Sequence, residues 1–274
     1  SSKHMNPFQK FVKMISDIFV PIIPAIVAGG LLMGLNNIFT AKDLFYDGKS
    51  IIDVHSQFSG LADMINIFAN APFTLLPILI GFSAAKRFGG NPYLGAALGM
   101  ILVHPGLMSA YDFPKALEAG KAIPHWDVFG LHINEVGYQG QVLPMLVATY
   151  ILATIEKWLR KVIPTVLDNL LTPLLSIFIT AFITFLFVGP VTRQLGYWLS
   201  DGLTWLYEFG GAIGGLIFGL LYAPIVITGM HHSFIAVETT LIADATKTGG
   251  SFIFPIATMS NIAQGGAALA AFFI

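Results

Sequence analysis

No cysteine occurs anywhere in the 274 residues. Disulfide staples, cysteine-ligated zinc or iron–sulfur centres and a cysteine nucleophile are therefore excluded within this chain. Charge is the second scarcity. Asp, Glu, Lys and Arg make up 11 % of the residues, whereas a soluble domain carries about 25 %. So few charges cannot solvate a soluble globule of this size, and a 55 % hydrophobic fraction with mean hydropathy +0.75 places the chain in a bilayer. A formal net charge of -1 excludes a broadly basic nucleic-acid binder, because counterion release needs clustered Lys and Arg. No Walker loop, GxSxG elbow, HExxH pair or Rossmann fingerprint is present, so nothing points to hydrolase or ATPase chemistry. No signal-peptide pattern opens the chain, since "SSKHMNPFQKFVKM" stays polar and basic too long.

What the chain does have is apolar length. A helix needs about 20 apolar residues to cross the hydrocarbon core, and seven segments approach this: 18–39, 61–85, 93–110, 141–155, 171–191, 211–228 and 252–274. The fourth is short, and tilt or extension would complete it. Lys10 and Lys13 precede the first segment, Lys86 and Arg87 follow the second, and Lys157, Arg160 and Lys161 follow the fourth. The alternate loops carry Lys42, Lys49, Lys115 and Lys121 with acids interspersed. The positive-inside rule then predicts a cytoplasmic N-terminus.

Between the fifth and sixth segments, "RQLGYWLSDGLTWLYEFGG" gathers Arg193, Ser200, Asp201, Thr204 and Glu208 near one helical stripe. That pattern predicts an amphipathic helix lying along the membrane surface, the plainer alternative being a connector packed on other helices. The first span is interrupted by Pro21, Pro24, Gly29 and Gly30 in "VPIIPAIVAGG". Each proline removes a helix hydrogen bond, and the freed carbonyl must find a partner in protein or water. Unwound backbone of this kind lines cavities in transporters, although kinked packing helices break in the same way.

Titratable groups collect in "ITGMHHSFIAVETTLIAD", where desolvation makes each of them costly. Gly229 marks a break after which a helix or a re-entrant hairpin begins. In a helix His231 and Glu238 share a face two turns apart, while His232 points toward the Ala236 and Thr239 stripe. Imidazole and carboxylate together suit a sugar, whose hydroxyls donate to one and exchange hydrogen bonds with the other. The alternatives are a His231–Glu238 pair that only binds helices together, or a metal site. Adjacent histidines rarely hold one ion and no third ligand is evident, so no metal is expected there. Asn261 and Gln264, three residues apart in "MSNIAQGGAALAAFF", are either interhelical glue or ligand contacts. In "NEVGYQGQVLP", Tyr138 reads as an interfacial anchor, and Gln139 and Gln141 as the lining of a polar vestibule. His104 reads as a cap closing a span, and His55, His125 and His132 as solvated loop residues.

The segments "FVPIIPAIVAGGLLMGLNN", "RFGGNPYLGAALGMIL", "VGYQGQVLP", "APIVITGMHHSFIAVE" and "SNIAQGGAALAAFF", in that order, resemble the membrane (IIC) domain of bacterial phosphotransferase-system sugar permeases. The likeness is to the sucrose-type branch of the glucose superfamily, with the trehalose branch close behind, and it runs over essentially the whole chain. It implies an all-α integral membrane fold of about seven spans, with an amphipathic surface helix and a re-entrant hairpin. Residues 1–14 would be the remnant of a cytoplasmic linker, 15–192 an interface domain that makes a homodimer, and 193–274 the surface helix and first part of a sugar-binding transport domain. The family's "GITE" hairpin, whose glutamate holds the sugar 6-hydroxyl, does not occur before Ile274. The rest of the transport domain is therefore expected to be absent, and no catalytic residue is assigned.

By the same resemblance "GMHH" matches the family's sugar-contacting motif, with His231 first and His232 second. Glu238 matches the glutamate that follows it in sucrose-type members. Substrate binding is expected at His231, His232, Glu238, Asn261 and Gln264, with Gln139 and Gln141 behind them. The implied function is import of sucrose with phosphorylation to sucrose 6-phosphate by a phosphocysteine on a IIB partner. That partner is fed by IIA and a phosphocarrier protein, and no cofactor is involved. The membrane would be the bacterial inner (cytoplasmic) membrane. Trehalose or another glucoside is the alternative substrate. A proton-coupled secondary carrier and a non-transporting sugar-binding fragment are the alternatives from other classes.

Overall fold

The computed structural model describes residues 6–210. The sixth and seventh apolar segments lie outside the described residues. Contacts divide the chain into two compact units, the first comprising residues up to Gly140 together with Met145–Phe185, the second Gln141–Pro144 and the chain from Leu186 onward.

Helix α1 (Pro7–Phe19) starts on a capping box: Asn6 Oδ1 accepts the Gln9 N–H at 2.8 Å while Gln9 Oε1 accepts the Asn6 N–H at 3.2 Å. Pro21 forces a 3-10 turn at Val20–Ile22 before α2 (Ile23–Thr40) resumes with Pro24 in its first turn. The carbonyl freed by this break does find a protein partner, the Ser83 hydroxyl donating to the Ile18 C=O. A second break follows the same rule. Helices α4 (Ser59–Thr74) and α5 (Leu76–Arg87) are separated at Leu75, with Pro72 on one side and Pro77 on the other. Ile78 turns back to Leu75, so the Thr74 carbonyl is left over, and the Gly140 N–H takes it at 3.1 Å. One-turn α3 (Ile51–Val54) lies in the loop before α4, capped by Ser50 and Asp53. The Ser50 backbone N–H, and then its hydroxyl, hold the Asp53 carboxyl below the usual carboxylate range.

Among the described residues three helical stretches are long and apolar enough to cross a membrane: Pro7–Thr40, Ser56–Arg87 and Thr165–Trp205. Their outer surfaces are apolar, with Leu31 73 %, Leu170 73 % and Phe178 65 % exposed. Exposed faces of that kind belong against lipid or protein. The third expected segment, 93–110, is shorter than its apolar run suggested. Helix α6 (Pro92–Leu102) has 11 residues, about 16 Å of rise, because His104, Pro105 and Gly106 end it in a turn in which His104 Nδ1 accepts the Gly106 N–H at 2.9 Å. The fourth becomes α8 (Leu143–Val162), whose last two turns are charged.

Helices α5 and α6 pack backbone to backbone. A Cβ added at Gly95 would overlap the Gly81 carbonyl, one at Gly81 would overlap the Gly95 carbonyl, and one at Gly99 would stand 2.5 Å from the Pro77 oxygen. Gly29 plays a similar part where α2 meets α4, its added Cβ falling 2.8 Å from Phe73 and 3.0 Å from the Ala69 oxygen.

The expectation that His125 and His132 sit in open loops needs correcting, and with it the purely helical description. After the short α7 (Phe113–Glu118), β1 (His125–Val128) and β2 (Leu131–Asn134) form an antiparallel hairpin. Its two-residue turn places Phe129 and Gly130 at φ 51° and 78°, the left-handed pair of a type I′ turn. The expectation of a loop came from polarity. The strands' apolar residues number too few to register against long hydrophobic helices.

Helix α9 (Thr165–Ile183) leads into a π turn at Thr184–Val188 and then α10 (Gly189–Gly210). The predicted amphipathic stretch is therefore helical. In α10, Thr192, Arg193 and Ser200 are buried, while Val191, Leu195, Trp198 and Trp205 are exposed. The polar stripe is thus covered at Arg193 and Ser200 but open at Asp201 and Glu208.

Candidate functional site

His231, His232, Glu238, Asn261 and Gln264 lie outside the described residues. Gln139 and Gln141 are described, and they fall in different compact units. Gln141 is half-buried.

Gln139 belongs to a loop that ties broken helix ends together. The loop starts at Glu135, whose N–H donates to the Pro124 carbonyl at 2.9 Å and closes the base of the hairpin. Met108 then exchanges hydrogen bonds with it, its N–H donating to Glu135 at 2.8 Å and its carbonyl accepting from Gly137 at 2.7 Å. The Tyr138 N–H donates to the Leu102 carbonyl at the end of α6 (2.8 Å), and the Gly140 N–H to the Thr74 carbonyl at the end of α4. The Gln139 side chain, buried, accepts the Ala110 N–H on Oε1 at 2.9 Å. A Cβ at Gly137 would lie 2.6 Å from that same oxygen, so a side chain there would push the Gln139 amide aside.

Tyr138 is not an interfacial anchor. It is 2 % exposed and its ring meets Phe185 at 6.1 Å. A tyrosine beside glutamines in an apolar chain looks interfacial in sequence, but the loop's backbone bonds turn it inward. Tyr111 flanks the loop, and burial pushes its phenol above the ordinary tyrosine value, a hydrogen bond with Thr74 partly opposing the shift. The phenol is therefore neutral at physiological pH. Gln139, Tyr111 and Thr74 are thus neutral polar groups beside a broken helix end. Gln139→Ala strands the Ala110 N–H and is expected to cost about 1 kcal/mol. Thermal unfolding of the detergent-solubilised protein checks this, and an unchanged midpoint would remove the clamp.

Sequence reasoning missed Glu156, which is 2 % exposed in α8. Its carboxylate accepts the Asn91 backbone N–H at 2.9 Å on one oxygen and Arg160 Nη2 at 2.7 Å on the other. The partner is the turn in "RFGGNPYLG". Gly90 N–H reaches back to Ala85 at 2.8 Å and Gly89 N–H to Lys86 at 3.3 Å, with Gly89 at φ 81°. This is a Schellman stop, and Asn91 then N-caps α6 by accepting the Tyr93 N–H at 2.8 Å. Glu156 stands among Lys157, Arg160 and Lys161, so it reads as one more solvated charge at a span's end. The usable signal was its spacing of four from Arg160.

Broken apolar helices, small-residue packing and helical stretches long enough to cross a bilayer are those of a multi-span membrane protein. The particular family follows from comparison: the chain belongs to the family Phosphotransferase system, EIIC, whose model matches residues 16–274. It is 86 % identical over 273 residues to the "PTS system sucrose-specific EIIBC component" of Staphylococcus xylosus, covering 100 % of this chain and 57 % of that protein. It is 62 % identical over 269 residues to the protein of the same description from Vibrio alginolyticus, covering 98 % of this chain and 56 % of that one. The "PTS system trehalose-specific EIIBC component" of Bacillus subtilis (strain 168) is 50 % identical over 274 residues, 100 % of this chain and 58 % of its own length. The chain thus spans little more than half the length of these relatives. No solved structure matches it.

Proposed function

We propose that this chain is the sugar-binding and translocating part of a sucrose permease of the phosphoenolpyruvate-dependent phosphotransferase system. The observation that carries the reading is 86 % identity across the whole chain to a sucrose-specific component. Composition agrees. A neutral disaccharide needs hydrogen-bonding groups more than charge, and a chain without cysteine must take its phosphoryl group from elsewhere. The donor is a phosphocysteine on a IIB domain, supplied in turn by IIA and a phosphocarrier protein. The sugar 6-hydroxyl oxygen attacks phosphorus, the S–P bond breaks, the thiolate leaves, and the hydroxyl proton passes to a base.

Substrate contacts are assigned to His231, His232, Glu238, Asn261 and Gln264, with Gln139 and Gln141 in supporting positions. The fold on this reading has about seven spans and a re-entrant hairpin, sits in the bacterial inner membrane with a cytoplasmic N-terminus, and forms a homodimer through residues 15–192. The junction with a transport domain at 193 lies two helical turns beyond the compact-unit boundary between Phe185 and Leu186, and the π turn at Thr184–Val188 falls at that boundary. Such turns inside long helices often accompany function.

Trehalose is the second substrate reading, favoured by the 50 % identity to a trehalose-specific component. Uptake by the full-length protein in membranes with collapsed ion gradients is the test. Phosphoenolpyruvate-dependent accumulation of sucrose 6-phosphate supports group translocation, and its abolition supports a proton-coupled carrier. Preferential accumulation of phosphorylated trehalose would transfer the assignment to that sugar. His231→Ala is expected to weaken sucrose binding by about 1–3 kcal/mol, roughly 5- to 150-fold. Unchanged affinity would remove His231 from the site.

A further inference from the structure

We infer that the outward face of the β1–β2 hairpin is a divalent transition-metal site, with His125, Asp127 and His132 as ligands and zinc as the fitting ion. The inference begins with register. Asp127 pairs directly with His132, and His125 pairs with Asn134, so all four side chains stand on one face of the ribbon. The alternate residues face the other way: Ile133 is buried and Trp126 meets Phe185 edge-on at 5.5 Å. The apolar face anchors the hairpin, and the polar face is held open.

Three potential ligand atoms converge there. His125 Nε2 lies 3.3 Å from Asp127 Oδ2, and His132 Nδ1 lies 3.8 Å from Asp127 Oδ1. One ligand atom from each of the three residues falls within 4.8 Å of the others. A tetrahedral zinc with bonds of about 2.0–2.2 Å sets its ligands about 3.3–3.5 Å apart. One edge of that tetrahedron is therefore already present. The His132 contact runs to the other oxygen of Asp127, so the remaining two edges close by rotation of the partly exposed side chains, whose ligand atoms already lie within 4.8 Å of one another.

Ion pairing alone accounts poorly for the geometry. The two imidazole rings stack with centroids 4.1 Å apart at 29°, and one carboxylate cannot neutralise two imidazolium rings at that separation. Two neutral imidazoles and a carboxylate around a dication involve no like-charge contact. Nitrogen and oxygen donors in this ratio, with remaining positions open to water, suit zinc and its first-row neighbours. Side-chain exposures of 41 % for His125, 61 % for His132 and 76 % for Asp127 leave the entry path clear.

The test is calorimetric titration of zinc chloride into the full-length protein, purified in detergent through a tag without histidine. Wild type is compared with His125→Ala, His132→Ala, Asp127→Asn and, as a control, His55→Ala. One zinc equivalent is expected to disappear, or weaken by about tenfold or more, in the first three and to persist in His55→Ala. Its affinity should fall on acidification, because metal ligands must be deprotonated. Asp127→Asn retains the side-chain shape, so its effect is read on a folded hairpin. Zinc stoichiometry and affinity unchanged across all variants, or no zinc binding by wild type, would overturn the site.

Discussion

Gly95→Val is expected to prevent α5 and α6 from docking, and little correctly assembled protein should survive extraction. A Cβ at Gly95 overlaps the Gly81 carbonyl and lies 2.6 Å from the Ala85 Cβ, and a Cβ at Gly81 overlaps the Gly95 carbonyl in return. Overpacking costs about 1–3 kcal/mol where side chains can yield. Here the obstacle is backbone on both helices, so the cost lies at or above the upper end. Membrane helices have little hydrophobic drive toward one another and depend on such close approach. Gly34→Ala is the control: an added Cβ there meets nothing within 4 Å, and removing a helix-interior glycine should gain up to about 1 kcal/mol. Yield by size-exclusion chromatography and the thermal midpoint separate the two. A Gly95→Val protein as stable as Gly34→Ala would refute the packing.

Glu156→Leu is expected to have the next largest effect. The substitution leaves the Asn91 N–H without its acceptor and Arg160 without its partner. Arg160 is 52 % exposed, so water recovers most of that loss. The stranded N–H sits at the turn that starts α6, and its loss costs about 1–3 kcal/mol. Glu156→Gln should cost less, because an amide oxygen can still accept from Asn91. Thermal unfolding of both variants decides between bond and charge. Equal destabilisation would mean that the negative charge, and not the hydrogen bond, holds the turn.

Where sequence reasoning succeeded and failed follows from the range of the interactions involved. The break at Pro21 was legible because proline lacks an N–H wherever it stands, whereas Pro24 falls in the first turn of α2 and the helix runs unbroken through Gly29 and Gly30, which had looked like interruptions. Which group would satisfy the freed carbonyl was not legible, since Ser83 is 65 residues from Ile18. Tyr138 looked like an anchor because its neighbours are polar. Backbone bonds to Leu102 and Met108 turned it inward, and those partners lie about 30 residues away in sequence. The third span was overestimated because apolar runs count residues and ignore the turn that His104 and Gly106 make. His125 and His132 were read one at a time, and only strand pairing placed both against Asp127.

The sequence alone determined that this chain lives in a membrane, that its first span breaks at Pro21, and to which family it belongs, since scarce charge, proline positions and ordered motifs are local properties. The tertiary structure alone decided which carbonyl Gly140 occupies, that Glu156 is buried beneath the Asn91 turn, and that two histidines and an aspartate share a face. Those facts arise from groups far apart in the chain becoming neighbours, and a pattern of residue types carries no record of such distances.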